Sequence, residues 1–214
     1  MSIHIDGSDN TGDYNDLPLI DEQRRTIEEG DLRELAAVFV RYGVHDRFGL
    51  AVLHRHVHIS PQFVMVHSRI SEDTYSCRPE KPGMRQLTPY LFSCESPTGL
   101  SALEYLVADE HEPLHIPSTT FLTELNSSLQ SMGLQKVLGL SRISPHHGPW
   151  IETVLPQDQC MISTLSRGGL EDFKGTITEW SFFPHESGDC VRNFKGCAED
   201  RVGVHDPPVP PKPK

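Results

Sequence analysis

Apolar positions recur with helical spacing in two stretches of the chain and with strand-like alternation through most of the rest. Asp21 opens a helical stretch running to Glu29. After Gly30, Asp31 with Glu34 three positions on makes a capping-box-like start for a helix from Leu32 to about Tyr42, with Leu35, Val38 and Phe39 on one face and Gly43 as its stop. The second periodic stretch begins at Ser118, whose hydroxyl can cap the turn holding Phe121, and continues through Leu122, Leu125 and Leu129 to Gly133. Short β-rich runs fill the intervals: Phe48–Ile59, Phe63–Ile70, Leu87–Glu95 and Leu103–Ala108 before that helix, and Lys136–Ile143, Trp150–Leu155, Cys160–Leu165 and Thr176–Phe183 after it. Clusters of Pro and Gly at 145–149, 156–159 and 167–169 supply the turns.

The connections are too short for repeated crossover helices. The order therefore predicts an α+β fold with a mostly antiparallel, barrel-like sheet, N-terminal helices, and one helix between two groups of strands. With 214 residues against roughly 100–200 per domain, one domain is expected over residues 17–205. A polar disordered tail over residues 1–16 precedes it and a proline-rich tail over 206–214 follows. That second tail carries a PxxPxK spacing at Pro207, Pro210 and Lys212, a pattern that SH3-like grooves accept. No internal repeat is expected along the chain, and no Gly-rich phosphate loop or dinucleotide fingerprint is present.

Charge and composition narrow the function. Nineteen Lys and Arg against thirty Asp and Glu give a formal charge of −11, a field that repels phosphates and argues against nucleic acid as a partner. No apolar run is long enough for a membrane span, and the acidic N-terminus lacks the features of a secretory signal, so a cytoplasmic protein is expected. Five scattered cysteines do not look like a disulfide framework. Cys77 and Cys94 read as small buried hydrophobes, and the spacing of His185, Cys190, Cys197 and His205 suits a zinc site only in number.

Twelve histidines are the compositional excess. If Phe48–Ile59 is one strand, alternation puts Leu50, Val52, His54, His56 and His58 on one face. Same-face neighbours about 6.5–7 Å apart can converge on one ion. A hairpin pairing His58 with Phe63 would bring His67 opposite His54, making His54, His56 and His67 the expected metal ligands. A one-residue slip of register sends His67 to the other face, with His45 as the substitute. Glu95, Glu104, Glu152 and Glu179 lie on or beside other strands and could complete the shell. Structural or pH-sensitive histidines are the competing reading.

The block His45-x-Arg47-Phe48-Gly49-x-x-x-Leu53-His54-x-His56, with the later Leu138-Gly139-Leu140 and Thr178-x-Trp180-x-Phe182, resembles a group of small fungal proteins of unassigned activity that carry an HxRFGxxLxHxHF-like block. Val57 stands where that block has an aromatic residue. The resemblance implies a single-domain fungal protein in which His45, Arg47, His54 and His56 belong together; a role in fungal secondary metabolism is a separate expectation about its function. The expectation is thus a metal-dependent enzyme, a hydrolase, lyase or isomerase, acting on a small organic molecule. Zinc is the expected ion, with iron or copper as alternatives, and Arg47 and His45 are the expected catalytic side chains. A non-catalytic protein that binds a small molecule or a partner is the alternative.

Overall fold

A computed structural model of the chain describes residues 10–23, 26–95, 100–108, 115–143, 149–168, 170, 173–184 and 190–198. Two α-helices of thirteen residues, α2 (Glu29–Arg41) and α3 (Thr119–Ser131), each precede five strands. The first group is β1 (Phe48–Val52), β2 (Val64–Ser71), β3 (Thr74–Glu80), β4 (Leu87–Ser93) and β5 (Ser101–Val107). The second is β6 (Leu138–Arg142), β7 (Trp150–Leu155), β8 (Cys160–Leu165), β9 (Gly175–Phe183) and β10 (Cys190–Ala198). A short helix α1 (Asn10–Asn15) stands ahead of both groups.

The ten strands close into one barrel in the order β1-β6-β4-β5-β2-β3-β8-β7-β10-β9. The expected barrel is therefore present, but its sheet is mixed, because β2 runs parallel to β5 and β7 parallel to β10 while the other described pairings are antiparallel. Closure removes the exposed sheet edges that would otherwise invite pairing with other chains.

The two groups are copies of one unit, contrary to the sequence reading. Helix starts Glu29 and Thr119 lie 90 residues apart, as do strand starts Phe48 and Leu138. Gly43 and Gly133 take the same left-handed turn, φ 62° and 69°. The hydrogen bond from Leu53 N to Val137 O has its counterpart from Ile143 N to Arg47 O. Pairings are related in the same way: β1 meets β9 as β6 meets β4, and β2 meets β5 as β7 meets β10. Even the bulges match. Leu91 opposes Glu104 and Phe92 opposes Ala102 in the first unit; Glu179 opposes Lys195 and Trp180 opposes Asn193 in the second. At the same offset of 90 residues Leu32/Leu122, Glu34/Glu124, Leu35/Leu125 and Gly43/Gly133 are identical, as are the Gly-Leu steps at 49–50 and 139–140, so the repeat is written in the sequence from the helix to the first strand of each unit.

Each helix buries one stripe, Leu32, Leu35, Ala36 and Phe39 on α2 and Phe121, Leu122, Leu125 and Leu129 on α3. These stripes cover the outer face of the sheet, where Trp180, Leu50, Leu140 and Phe92 form one row across four strands. Phe39 joins the layers, its ring 5.1 Å from Phe121 and 4.7 Å from Phe182. Ser118 caps α3 as expected, accepting from Phe121 N. Helix α2 begins earlier than expected, with Glu28 as a cap that makes no side-chain hydrogen bond and Asp31 already in its first turn.

Three further expectations change. Among the described residues of the helical stretch expected from Asp21 to Glu29, only a 3-10 turn at Ile20–Glu22 precedes the start of α2. The expected tail over 1–16 contains α1, and Tyr14 at its end is buried. Most consequentially, the strand expected over Phe48–Ile59 stops at Val52, so no hairpin joins it to β2, which pairs with β3 and β5. Residues 53–62 leave the sheet and are tied to the N-terminal segment through Asn15, whose side chain bonds both Ile59 N and Ile59 O. The proline tail, with Pro207, Pro210 and Lys212, lies outside the described residues.

At Gly49 and Gly139 a Cβ atom would stand 2.3 Å from the backbone oxygens of Trp180 and Phe92, equivalent positions of the two units. Neither oxygen can swing aside as a side chain can. We expect Gly49→Ala and Gly139→Ala each to cost at least the ~1–3 kcal/mol of overpacking, whereas Gly30→Ala, with open space in a helix, should gain about 0.5–1 kcal/mol. Denaturant melts of the three variants check the contrast; equal stabilities would contradict the close approach.

Candidate active site

Residues opposite each other in a ladder share a face, so register identifies what faces the lumen. Tyr75, Ser163, Glu152 and Cys197 form one row across β3, β8, β7 and β10. Trp150, Lys195, Glu179 and Ala51 form another, and Leu106, His67, Cys77 and Met161 a third. That these rows point inward follows from side-chain contacts between strands that are not neighbours. Lys195 Nζ on β10 donates to Tyr90 Oη on β4 at 2.7 Å, and Tyr90 in turn donates to Glu179 Oε2 on β9 at 2.9 Å. Only the lumen lets these strands meet.

The lumen is charged. Lys195 Nζ lies 3.1 Å from Glu179 and 3.3 Å from Glu152. Burial alone would favour the neutral amine, but these carboxylates outweigh it and hold Lys195 well above its ordinary pKa. Burial likewise pushes Glu152 up, and Lys195 together with His56 and His54 overcomes it, leaving the carboxyl well below its usual range. Tyr90 is raised well above 10 by burial and by Glu179, against the opposing pull of Lys195, so its phenol stays protonated.

Beside this group His67 Nε2 donates to Glu104 Oε2 at 2.7 Å, and its ring packs 4.7 Å from that of Tyr90. Burial raises the Glu104 carboxyl, but the bond and charge of His67 prevail and lower it. The matched bulges make Glu104 and Lys195 equivalent positions of the two units, and the parallel pairings do the same for His67 and Glu152. The hydrogen-bonded pair His67–Glu104 thus occupies the positions of the ion pair Glu152–Lys195, with the acidic and basic members exchanged.

His67, Tyr90, Lys195, Trp150 and Ser163 line a cavity of about 30 Å³ together with Tyr75, Leu106 and Phe194. The volume suffices for about two water molecules. Trp150 Nε1 and Ser163 Oγ, both buried, have no hydrogen-bond partner among the described residues.

The loop after β1 delivers two more side chains. His54 and His56 are buried with rings 4.4 Å apart, and His58 is exposed. Their proximity comes from an irregular loop, not from strand alternation. His54 Nδ1 bonds Val52 O at 2.9 Å, and its Nε2 has no partner. Burial, and then the charge of His56, lowers His54 to about 4. His56 is raised to about 10, because Cys197 and Glu152 outweigh the opposite effect of burial. Its Nδ1 lies 4.0 Å from Cys197 Sγ and its Nε2 3.7 Å from Glu152.

Buried His, Cys and Glu side chains thus form two groups that could hold a metal ion: His54, His56 and Cys197, and His67, Cys77 and Glu104. The expected set of His54, His56 and His67 is divided between them, since the hairpin that would have carried His67 to His54 does not form. Arg47 and His45 lie in the turn before β1. Arg47 is exposed and pairs with Asp46 and His115, while His45 Nδ1 is buried without a partner. Of the four carboxylates singled out from sequence, Glu104, Glu152 and Glu179 face the lumen; Glu95 is at the surface, 3.8 Å from Lys136. Lys195 and Tyr90 carry no motif that marks them as site residues, and the sequence offers Cys197 as a ligand only beside His185, Cys190 and His205, not beside His54 and His56. His185 and His205 lie outside the described residues, as does the side chain of Cys190. Cys77 and Cys94 are buried, the thiol of Cys94 raised to about 12 by burial. Among the described residues no helix is long and apolar enough to cross a membrane.

No family model matches this chain, and neither a curated protein nor a solved structure matches it.

The lowered carboxyl of Glu104 sets a pH dependence. A folded-state pKa below the ordinary 4.5 of a glutamate contributes stability that is complete above that value and lost as pH falls through the folded one. Glu104→Gln should therefore flatten the loss of stability on the acid side of about pH 4.5 relative to the unaltered protein. Denaturant titrations at a series of acid pH values check this, and an equally steep loss in both would contradict it.

Proposed function

We propose that this protein is an enzyme that moves a proton on a small carbonyl-bearing organic molecule, an elimination or isomerisation, in the lumen cavity. One observation carries the reading: His67, Tyr90 and Lys195 are all buried, yet all three line the same cavity. Ionisable groups held out of water cost free energy, and a cleft that concentrates them is the default place for chemistry.

Each group has a role. Glu104, a carboxylate, accepts the Nε2 proton of His67, which leaves Nδ1 as the ring atom able to take a proton from carbon. Lys195 stays an ammonium, so charge developing on a substrate oxygen would meet a cation already in place, and Tyr90, whose one proton goes to Glu179, helps to hold that ammonium by accepting from it. The unpartnered Trp150 Nε1 and Ser163 Oγ are further groups for that oxygen to bond. A cavity of about 30 Å³ admits only the reacting group of such a molecule. The surface Arg47 has no part in this scheme. A net charge of −11 favours small molecules over nucleic acid as substrates.

Exchange of carbon-bound hydrogen for deuterium in D2O, followed by proton NMR over a panel of small ketones and aldehydes, tests the proposal without a named substrate. At least one compound should exchange in the presence of the protein. His67→Asn should slow that exchange by about 10²–10⁴-fold, Tyr90→Phe should also slow it, and Arg47→Ala should leave it unchanged. Exchange indifferent to His67→Asn contradicts the proposal, and ligand binding without any exchange points to a non-catalytic binding protein.

A further inference from the structure

The histidine pair lies apart from the cavity, since neither His54, His56 nor Cys197 lines it, and it calls for its own explanation. We infer that His54, His56 and Cys197 form a transition-metal site, with zinc as the ion the ligand set suits best. One nitrogen from each imidazole and the Cys197 sulfur lie within 4.8 Å of one another. A borderline-soft cation takes two nitrogens and one thiolate in a tetrahedral arrangement with a fourth position left over.

Three observations independent of that spacing point the same way. His54 Nδ1 is occupied by Val52 O, which fixes the proton there and leaves the lone pair of Nε2 buried and unpartnered. A histidine that ligates through one nitrogen nearly always donates the other to a carbonyl or carboxylate. His56 repeats the pattern, turning Nδ1 toward Cys197 and Nε2 toward Glu152. Third, the second group lacks this signature, because His67 and Glu104 already bond each other at 2.7 Å. The lumen also holds three carboxylates, Glu104, Glu152 and Glu179, around Lys195 and His67. A thiolate at Cys197 would add to that negative charge, and a dication would answer it.

The two units of the barrel contribute unequally. His54 and His56 come from the first, and Cys197 and Glu152 from the second, where the positions equivalent to Cys197 and Glu152 in the first unit are Leu106 and His67. The site therefore exists once in the barrel and needs both units.

Titration of untagged, metal-stripped protein with cobalt(II) chloride, followed by zinc competition, tests the assignment. One equivalent of cobalt should bind and produce a thiolate-to-cobalt absorption band that zinc abolishes. Cys197→Ser should remove the band, and His54→Gln should weaken zinc binding by more than the ~10–100-fold that loss of a supporting partner costs. Circular dichroism of each variant reports whether the barrel persists. If either variant fails to fold, the unaltered protein still decides the matter, because a cobalt complex without the thiolate band, or no complex at all, overturns the inference. An unchanged band in folded Cys197→Ser overturns it equally.

Discussion

Three glutamates, Glu104, Glu152 and Glu179, are buried in the lumen of a closed barrel, and the cost of keeping them there governs the interior. An unpaired buried ion costs several kcal/mol, and pairing offsets this only where geometry is good and remaining hydrogen bonds are made. Lys195 pairs with two of them, at 3.1 and 3.3 Å, and His67 with the third at 2.7 Å, while Glu179 Oε1 keeps no hydrogen-bond partner among the described residues. The bulges between β9 and β10 set Lys195 opposite Glu179, and the parallel pairing of β7 with β10 puts Trp150 beside Lys195 and Glu152 beside Cys197. Backbone irregularity and interior charge are therefore one design: straighten the bulge, and Lys195 leaves its partners.

Structural repetition supplies the frame that holds this charge pattern. Equivalent positions hold Glu104 and Lys195, His67 and Glu152, Cys77 and Ser163. The frame repeats while the chemistry does not, so an architecture with approximate two-fold symmetry carries an asymmetric interior. The outer row of Trp180, Leu50, Leu140 and Phe92 remains apolar in both units, as burial between helix and sheet requires. The inward positions exchange charge between the units, and the helices differ as well, Ala36 and Val38 of α2 standing where α3 has Asn126 and Ser128.

Legibility in the sequence follows the same division. Helices α2 and α3 were readable because each buries one stripe against the sheet and exposes the rest, and the strands with apolar alternation were readable for a similar reason. Strands β3 and β10 were not. Pro79 and Arg78 break the strand signal of the first, and Asn193, Lys195 and Gly196 that of the second. The feature that hid β10, a lysine and a cysteine among polar residues, is the feature that equips the lumen. His54 and His56 stood out by spacing, and they do meet, but through a loop held by Asn15 and Tyr14 that local alternation cannot express. The partnership of His67 with Glu104, and of Lys195 with Tyr90, depends on barrel closure and so on strand order, which a single sequence read locally does not contain.

The dependence of the interior on the Lys195 ammonium is open to direct measurement by equilibrium unfolding of Lys195→Met beside the triple variant Lys195→Met/Glu152→Gln/Glu179→Gln. Removing the cation alone strands two buried carboxylates and should cost about 3–5 kcal/mol, most of which the triple variant should recover because no stranded charge remains. A single variant within about 0.5 kcal/mol of the unaltered protein, the range typical of surface changes, or a triple variant no more stable than the single, would contradict this account of what holds the barrel interior together.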